Sequence, residues 1–382
     1  MSVAANTTQE TKPEKPKLNR YPMWAPRFWH GMRLGDWARL AWRNKTRFHP
    51  CGLGLALTVS NVTLFNSVAY RLQQMLYGRG VAETKIEQPP VFVIGHWRSG
   101  TTMLHELMVL DERFAYPTTY ECFAPNHFLL TGGLFPKLLW FLLPSKRPMD
   151  NMTVSFGHPQ EDEFALVSMG APSPMFRIAF PNDPAPFMEF LDMQDVDKDD
   201  LAHWKNALLQ FVRMQTYLKR KPVILKSPPH TGRIEVLSEM FPGAKFVHIV
   251  RDPYSLFASN RRLWVSLDNN QAFQRAKHKH LDEYVFQAFE RMYGGFERQR
   301  EAVGSENICD VHYEQLVQDP VGELRKIYEY LELGDFENVQ PRIEEYAANK
   351  KAYKPNQHQL EPEIKEEVRR RWAGYFEKYG YE

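Results

Sequence analysis

The sequence predicts an α/β protein of three layers, αβα, in which a central parallel sheet is covered on both faces by helices. Three observations carry this. A short unbroken apolar run occurs at Val91 to Ile94, the pattern of a strand buried on both faces, and Pro222 to Lys226, Ala244 to Val250 and Asn307 to His312 read as three further strands. Segments with helical spacing of apolar residues separate them, and strands alternating with helices through short turns build parallel sheets. The first run leads directly into a tight loop, Gly95-His96-Trp97-Arg98-Ser99-Gly100, and then into a helix from Thr101 whose Leu104, Leu107, Met108 and Leu110 share one face.

Strand, glycine-bounded loop and helix N-terminus present free backbone N–H groups and the positive end of a helix dipole to one spot, which suits an anion. The loop has the Gly-x4-Gly spacing of a nucleoside-triphosphatase P-loop, so the expected architecture is P-loop-like. Thr101, however, stands where that motif has its lysine. Without the lysine a β,γ-phosphate pair loses its usual cation, whereas Arg98 offers a planar fork to one phosphate or sulfate group. A donor with a single 5′-phosphate is expected. The competing reading is a tight turn carrying a surface arginine.

A chain of 382 residues suffices for one large α/β domain with insertions or for two smaller ones. A net charge of only +2 argues against nucleic acid as the main partner. Cys51, Cys122 and Cys309 are far apart with no Cys-x-x-Cys. Neither a disulfide framework nor a structural zinc is suggested, and a reducing, cytoplasmic compartment is expected. No segment reaches about 18 uninterrupted apolar residues, so no membrane-spanning helix is expected.

Residues 1–20 are polar and predicted to be a disordered tail, and 21–88 a helical N-terminal extension. Between Tyr21 and Pro50, Trp24, Trp29, Trp37 and Trp42 alternate with Arg27, Arg33, Arg39, Arg43, Lys45 and Arg47. The favoured reading is a docking helix with its indoles packed inward; the other is peripheral contact with a bilayer through 21–50. Leu53 to Leu76 reads as one amphipathic helix and Gly78 to Gln88 as a linker. Leu134 to Leu143, dense in Leu, Phe and Trp, should wall a pocket or pack on the core. His158 to Met169 reads as a helix opened by acidic residues, and Ala171 to Pro186, with five prolines, as an irregular segment suited to binding an acceptor. Asp199 and Asp200 open a helix closed by Lys219, Arg220 and Lys221. Thr231 to Met240, Pro253 to Leu267, Leu281 to Ala302, Val321 to Leu331 and Glu361 to Tyr379 are further helices. Ligands of parallel sheets sit at the carboxyl ends of the strands, an edge that collects Gly95 to Thr102, Lys226 and Arg251.

With these residues the chain resembles sulfotransferases that use 3′-phosphoadenosine 5′-phosphosulfate (PAPS), in particular the group of protein-tyrosine sulfotransferases and related bacterial enzymes. The resemblance runs from Pro89 to the C-terminus, making 89–382 the sulfotransferase domain and 116–220 an insertion on its acceptor side. It implies that Arg98-Ser99-Gly100-Thr101-Thr102 binds the 5′-phosphosulfate. An arginine followed eight residues later by serine, here Arg251 and Ser259, would bind the 3′-phosphate. Lys226 matches a lysine that stabilises the transition state, and Tyr313 a tyrosine that contacts the nucleotide. The loop Lys351 to Leu360 stands where the family closes over the nucleotide, and Arg261 and Arg262 are only approximate counterparts of a family arginine.

Sulfuryl transfer passes a group in line between two oxygens, so positioning and charge stabilisation dominate. No metal is required by this logic. The acceptor hydroxyl does need a base. Glu121, 23 residues past Arg98, is the first candidate because resembling enzymes carry a catalytic glutamate there; His158, Glu161 and Glu163 are its rivals. The expected function is transfer of a sulfuryl group from PAPS to a hydroxyl of a carbohydrate, lipid or phenol. The alternatives are a P-loop kinase or nucleotide hydrolase, against which Thr101 speaks, and a non-catalytic nucleotide-binding scaffold.

Overall fold

The computed structural model describes residues 21, 25–142, 155–349 and 360–382. The expected tail 1–20, Trp24 and the loop 351–359 lie outside them. Four parallel strands, β1 (Val91–Ile94), β2 (Ile224–Lys226), β3 (Lys245–Val250) and β4 (Ile308–His312), form one sheet in the order β2-β1-β3-β4. All four lie within the predicted runs. The register sets Val91, Phe92 and Val93 beside Lys245, Phe246 and Val247 of β3, and Val93 beside Lys226 of β2.

Sixteen α-helices are described. Preceding the sheet are α1 (Leu34–Arg43) and α2 (Leu53–Glu83). Between β1 and β2 come α3 (Thr101–Met108), α4 (Thr119–Phe123), α5 (Phe128–Thr131), α6 (Phe135–Leu138), α7 (Asp162–Ser168) and α8 (Lys198–Lys219). Then follow α9 (Ile234–Met240), α10 (Pro253–Gln271) and α11 (Leu281–Val303). After β4 come α12 (Tyr313–Gln318), α13 (Pro320–Leu331), α14 (Gln340–Asn349), α15 (Pro362–Arg371) and α16 (Ala373–Tyr379).

Alternation along β1 sorts the core into two layers, because successive side chains of a strand point to opposite faces. Val91 and Val93 join Leu104 and Leu107 of α3 and Leu324 and Ile327 of α13. Phe92 and Ile94 join the larger cluster with α8, α9 and α11, where Phe92 stacks on Phe246 with centroids 5.4 Å apart.

Several boundaries differ from the sequence reading. The expected linker 78–88 is helical to Glu83: Gly80 passes so near α8 that a Cβ there would lie 2.9 Å from the Tyr217 ring, so this glycine serves a close helix crossing. Residues Pro228–Arg233 form a 3-10 turn before α9 rather than the start of one helix, and the C-terminal helix breaks at Trp372, whose ψ is 20°. Among the tryptophans, Trp29 donates to the Gln271 carbonyl at 2.6 Å and Trp37 to Ser60 Oγ at 2.8 Å, both buried, as a packed element requires, while Trp42 faces solvent. By length and composition α2 could cross a membrane. The sequence reading missed this because polar residues interrupt every apolar run in it.

Candidate active site

The loop after β1 folds as it does because two glycines and one arginine take left-handed backbone angles. Gly95 has φ 140° and Gly100 φ 110°, a region costly for side chains with a Cβ. At Gly100 a Cβ would sit 2.4 Å from Cδ2 of Tyr313, so the tyrosine lies directly against the loop. Arg98 adopts φ 72°, a strain of about 1 kcal/mol that persists where surrounding contacts over-determine it.

Those contacts are with the second motif. Arg98 Nε donates to Ser259 Oγ at 2.9 Å, and Arg251 Nη1 donates to the Arg98 carbonyl at 2.9 Å. The Arg251 guanidinium lies over the Tyr313 ring, 4.4 Å from its centroid, and its backbone N–H donates to the Tyr375 hydroxyl at 3.0 Å. Two arginines 153 positions apart in the chain therefore meet in one place, at the carboxyl edge of β1 and β3. Ser99 Oγ is buried and has no hydrogen-bond partner among the described residues. An orphaned hydroxyl, two guanidiniums and the N-terminus of α3 fit the phosphate and sulfate oxygens of a nucleotide such as PAPS.

Lys226 ends β2 with 1 % of its side chain exposed, and its Nζ donates to Glu161 Oε1 at 2.7 Å. The three acids of the predicted acidic helix each hold a different cationic or donor group. Asp162 meets His230 at 2.7 Å; Glu163 receives Arg233 at 2.7 and 3.1 Å and the Ser173 hydroxyl at 2.6 Å. Although burial opposes it, the charge and hydrogen bond of His230 hold Asp162 below the usual carboxylate range. This buried lattice fixes the turn 226–233 against α7, and Thr231 Oγ1 of the same turn accepts the Gly95 N–H at 2.8 Å. At Gly232 a Cβ would lie 1.9 Å from the Leu191 carbonyl, so the sequence Lys-Ser-Pro-Pro-His-Thr-Gly-Arg is a rigid bracket between phosphate loop and acids. Its signal, a His and an Arg flanking a glycine beyond Lys226, was present in the sequence but passed over.

Glu121 lies elsewhere. Its carboxylate accepts the Thr118 N–H at 2.8 Å, closing a capping box on α4, and pairs with Lys219 at 2.7 Å. It is 7 % exposed and does not line the cavity described next, nor does His158. Arg261 is held by Asp282 at 2.8 Å and Glu361 at 3.3 Å, away from the loop.

A cavity of about 880 Å³ opens from the phosphate loop. Its anionic-group end is lined by Arg98, Gly100 to Met103, Arg251 and Tyr313, and Glu161 lies on its wall. The rest is mostly apolar and aromatic, with Phe123, Phe156, Phe164, Met175, Leu263 and Leu267 from the domain and Phe28, Val62 and Phe65 from the N-terminal extension, which also contributes His30. The sequence reading left the extension outside the site; the structure makes it one wall. His30 is half-buried and desolvation lowers its pKa to about 4, so it is a neutral polar group on this wall.

The sulfotransferase family model matches residues 89–338. The omega-hydroxy-beta-dihydromenaquinone-9 sulfotransferase Stf3 of Mycobacterium bovis is 42 % identical over 366 residues, covering 96 % of this chain and 94 % of its own. The Mycobacterium tuberculosis protein of the same name matches to the same extent. Among solved structures, sulfotransferase STF9 from Mycobacterium avium superposes with a TM-score of 0.69 at 18 % identity, over 92 % of this chain and 97 % of its own. That likeness speaks for the fold. Family model and close relatives together, spanning both the phosphate loop and the extension, show that the chain belongs to the sulfotransferase family.

Proposed function

We propose that the chain transfers the sulfuryl group of PAPS to a terminal hydroxyl of a long, apolar lipid of the polyprenyl-quinol class. The observation that carries this is the joining, in one cavity, of a two-arginine anion cradle to an aromatic, apolar lining, with Glu161 on its wall. The Stf3 relatives, named for such a lipid, match along nearly the whole chain, the extension included. At about 880 Å³ the cavity is near the upper end for one drug-sized ligand, room for a nucleotide and the reacting end of a lipid.

In this reading Arg98, Ser99 and the N–H groups at Gly100 to Thr102 hold the 5′-phosphosulfate, and Arg251 and Ser259 the 3′-phosphate. The acceptor oxygen attacks sulfur, the bond from sulfur to the 5′-phosphate oxygen breaks, and the electron pair stays on that oxygen. Adenosine 3′,5′-bisphosphate and a sulfate ester are the products. Charge accumulates on the leaving oxygen, where Arg98 and the Thr101 and Thr102 hydroxyls can stabilise it. We assign the base to Glu161 rather than Glu121, because Glu161 reaches the cavity wall while Glu121 is committed to a helix cap and an ion pair. Lys226, which does not itself line the cavity, holds the Glu161 carboxylate in place.

The test is a transfer assay with labelled PAPS and three acceptors in detergent: an ω-hydroxy polyprenyl quinol, a phenol and a sugar. Labelling of the quinol is expected. Efficient labelling of the phenol or sugar with none of the quinol would overturn the assignment.

A further inference from the structure

Helix α2 is turned inside out for a helix in water. Several of its polar side chains face the protein: Asn66 donates to the His30 and Met32 carbonyls at 2.6 and 2.8 Å, and Gln73 accepts the Leu129 N–H at 2.8 Å. Ser60 accepts from Trp37 and Ser67 from the Leu34 N–H, each at 2.8 Å. The opposite face carries Leu57, Leu64, Val68, Leu72 and Met75, all at helical spacing and all between 46 % and 82 % exposed. Asn61 and Arg71 are the exposed polar residues on this stripe, and an apolar surface of this extent marks an interaction site.

We propose that this face, together with the tip of α6, seats the protein on a lipid bilayer so that the acceptor enters the cavity sideways without crossing water. The apolar face reaches the cavity, because Phe65 of α2 stacks on Phe135 of α6 with centroids 5.8 Å apart and both line the cavity. Next to α6, Trp140 and Phe141 are exposed at 72 % and 54 %, as aromatic anchors at a membrane interface are. Along the other edge α1 and the residues after it present exposed Arg39, Arg43, Lys45 and Trp42, with the Lys45 ammonium 4.4 Å from the indole centroid, cations matched to anionic headgroups. The helix lies in the membrane plane rather than across it: α1, α8 and the turn Phe28–Gly31 pack along its polar face, and a spanning orientation would carry them into hydrocarbon. A second copy seated on this face would close the mouth that the acceptor must use. A cavity with room for only the reacting end of a long lipid leaves the remaining chain in the bilayer. The direction of entry rests on the lipid reading above; the docking itself does not.

The experiment is flotation of the full-length protein with vesicles of phosphatidylethanolamine and phosphatidylglycerol, free of acceptor. Wild type should float, and the pairs L64E/L72E and W140S/F141S should each lower the bound fraction at least about tenfold. Both pairs should keep the wild-type Tm and the wild-type rate on detergent-solubilised acceptor, and lose rate on acceptor embedded in vesicles. A wild-type protein that stays at the bottom of the gradient, or an L64E/L72E protein that floats equally well, overturns the proposal. So does a wild-type dimer that L64E/L72E dissociates without vesicle binding, which would make a second copy the occupant. Normal flotation without transfer to the quinol in detergent would refute the acceptor assignment and leave docking standing.

Discussion

Replacing Glu161 by glutamine removes one proton-accepting oxygen and leaves the shape of the site unchanged. Glutamine is isosteric, and its carbonyl can still accept from Lys226 Nζ, now at 2.7 Å from Oε1. Loss of a positioned general base typically costs 10² to 10⁴ in rate, or about 2.7 to 5.5 kcal/mol of transition-state stabilisation. The nucleotide cradle contains no contact to Glu161, so affinity for adenosine 3′,5′-bisphosphate should stay within about twofold. Glu121→Gln supplies the control. A glutamine still closes the capping box with Thr118, and weakening the partly buried pair with Lys219 should cost about 1 kcal/mol of stability and little rate. Single-turnover transfer and calorimetric nucleotide binding on both variants separate the possibilities. If Glu161→Gln kept kcat within threefold while Glu121→Gln abolished it, with folding and nucleotide binding intact in both, the assignment of the base would be wrong.

Arg251→Ala should raise the Kd for adenosine 3′,5′-bisphosphate by roughly 10- to 100-fold, the worth of a charged hydrogen bond, and calorimetry would show it. Gly100→Ala should abolish nucleotide binding, and adding Tyr313→Ala should restore it only in part, since the Cβ clash 2.4 Å from the ring would go but the φ of 110° would remain. Asn66→Leu makes α2 more apolar, yet it should lower stability by about 2 kcal/mol in urea titrations because two buried carbonyls lose their donor. Burial lowers the pKa of His96 and His105 to about 3 and of His30 and His127 to about 4, the charge of Lys226 adding to the effect at His105. A lowered folded-state value means that the unfolded chain binds more protons below about pH 6.5, so stability should fall as pH drops from about 6.5 towards 4 and be flat above 7. A urea midpoint that rose on acidification would contradict this.

β1 was legible because burial on both faces leaves a run of apolar residues with no polar break, whereas β3 and β4, broken by His248 and by Asp310, were read from apolar residues alternating with helical segments. The phosphate loop was legible for a different reason: glycine is the residue that a left-handed turn against a neighbouring ring demands, so Gly95 and Gly100 announce the backbone before any fold is known. The acidic helix was legible only in part, since it begins at Asp162 rather than His158. Sequence placed Glu161, Asp162 and Glu163 at a helix start, where negative charge suits the dipole, but could not show that Lys226, His230 and Arg233 arrive opposite them from 65 to 70 residues downstream.

Local chemistry alone thus determined the individual strands, the anion loop and the arginine-to-serine spacing, since each depends on residues close together in the chain. Which carboxylate reaches the cavity, that Arg98 and Arg251 share one pocket, and that the polar side of α2 faces inward while its leucines face out were decided only by the tertiary packing. Those outcomes depend on which distant surfaces meet, and an ion pair or an apolar face takes its meaning from the partner that folding brings to it.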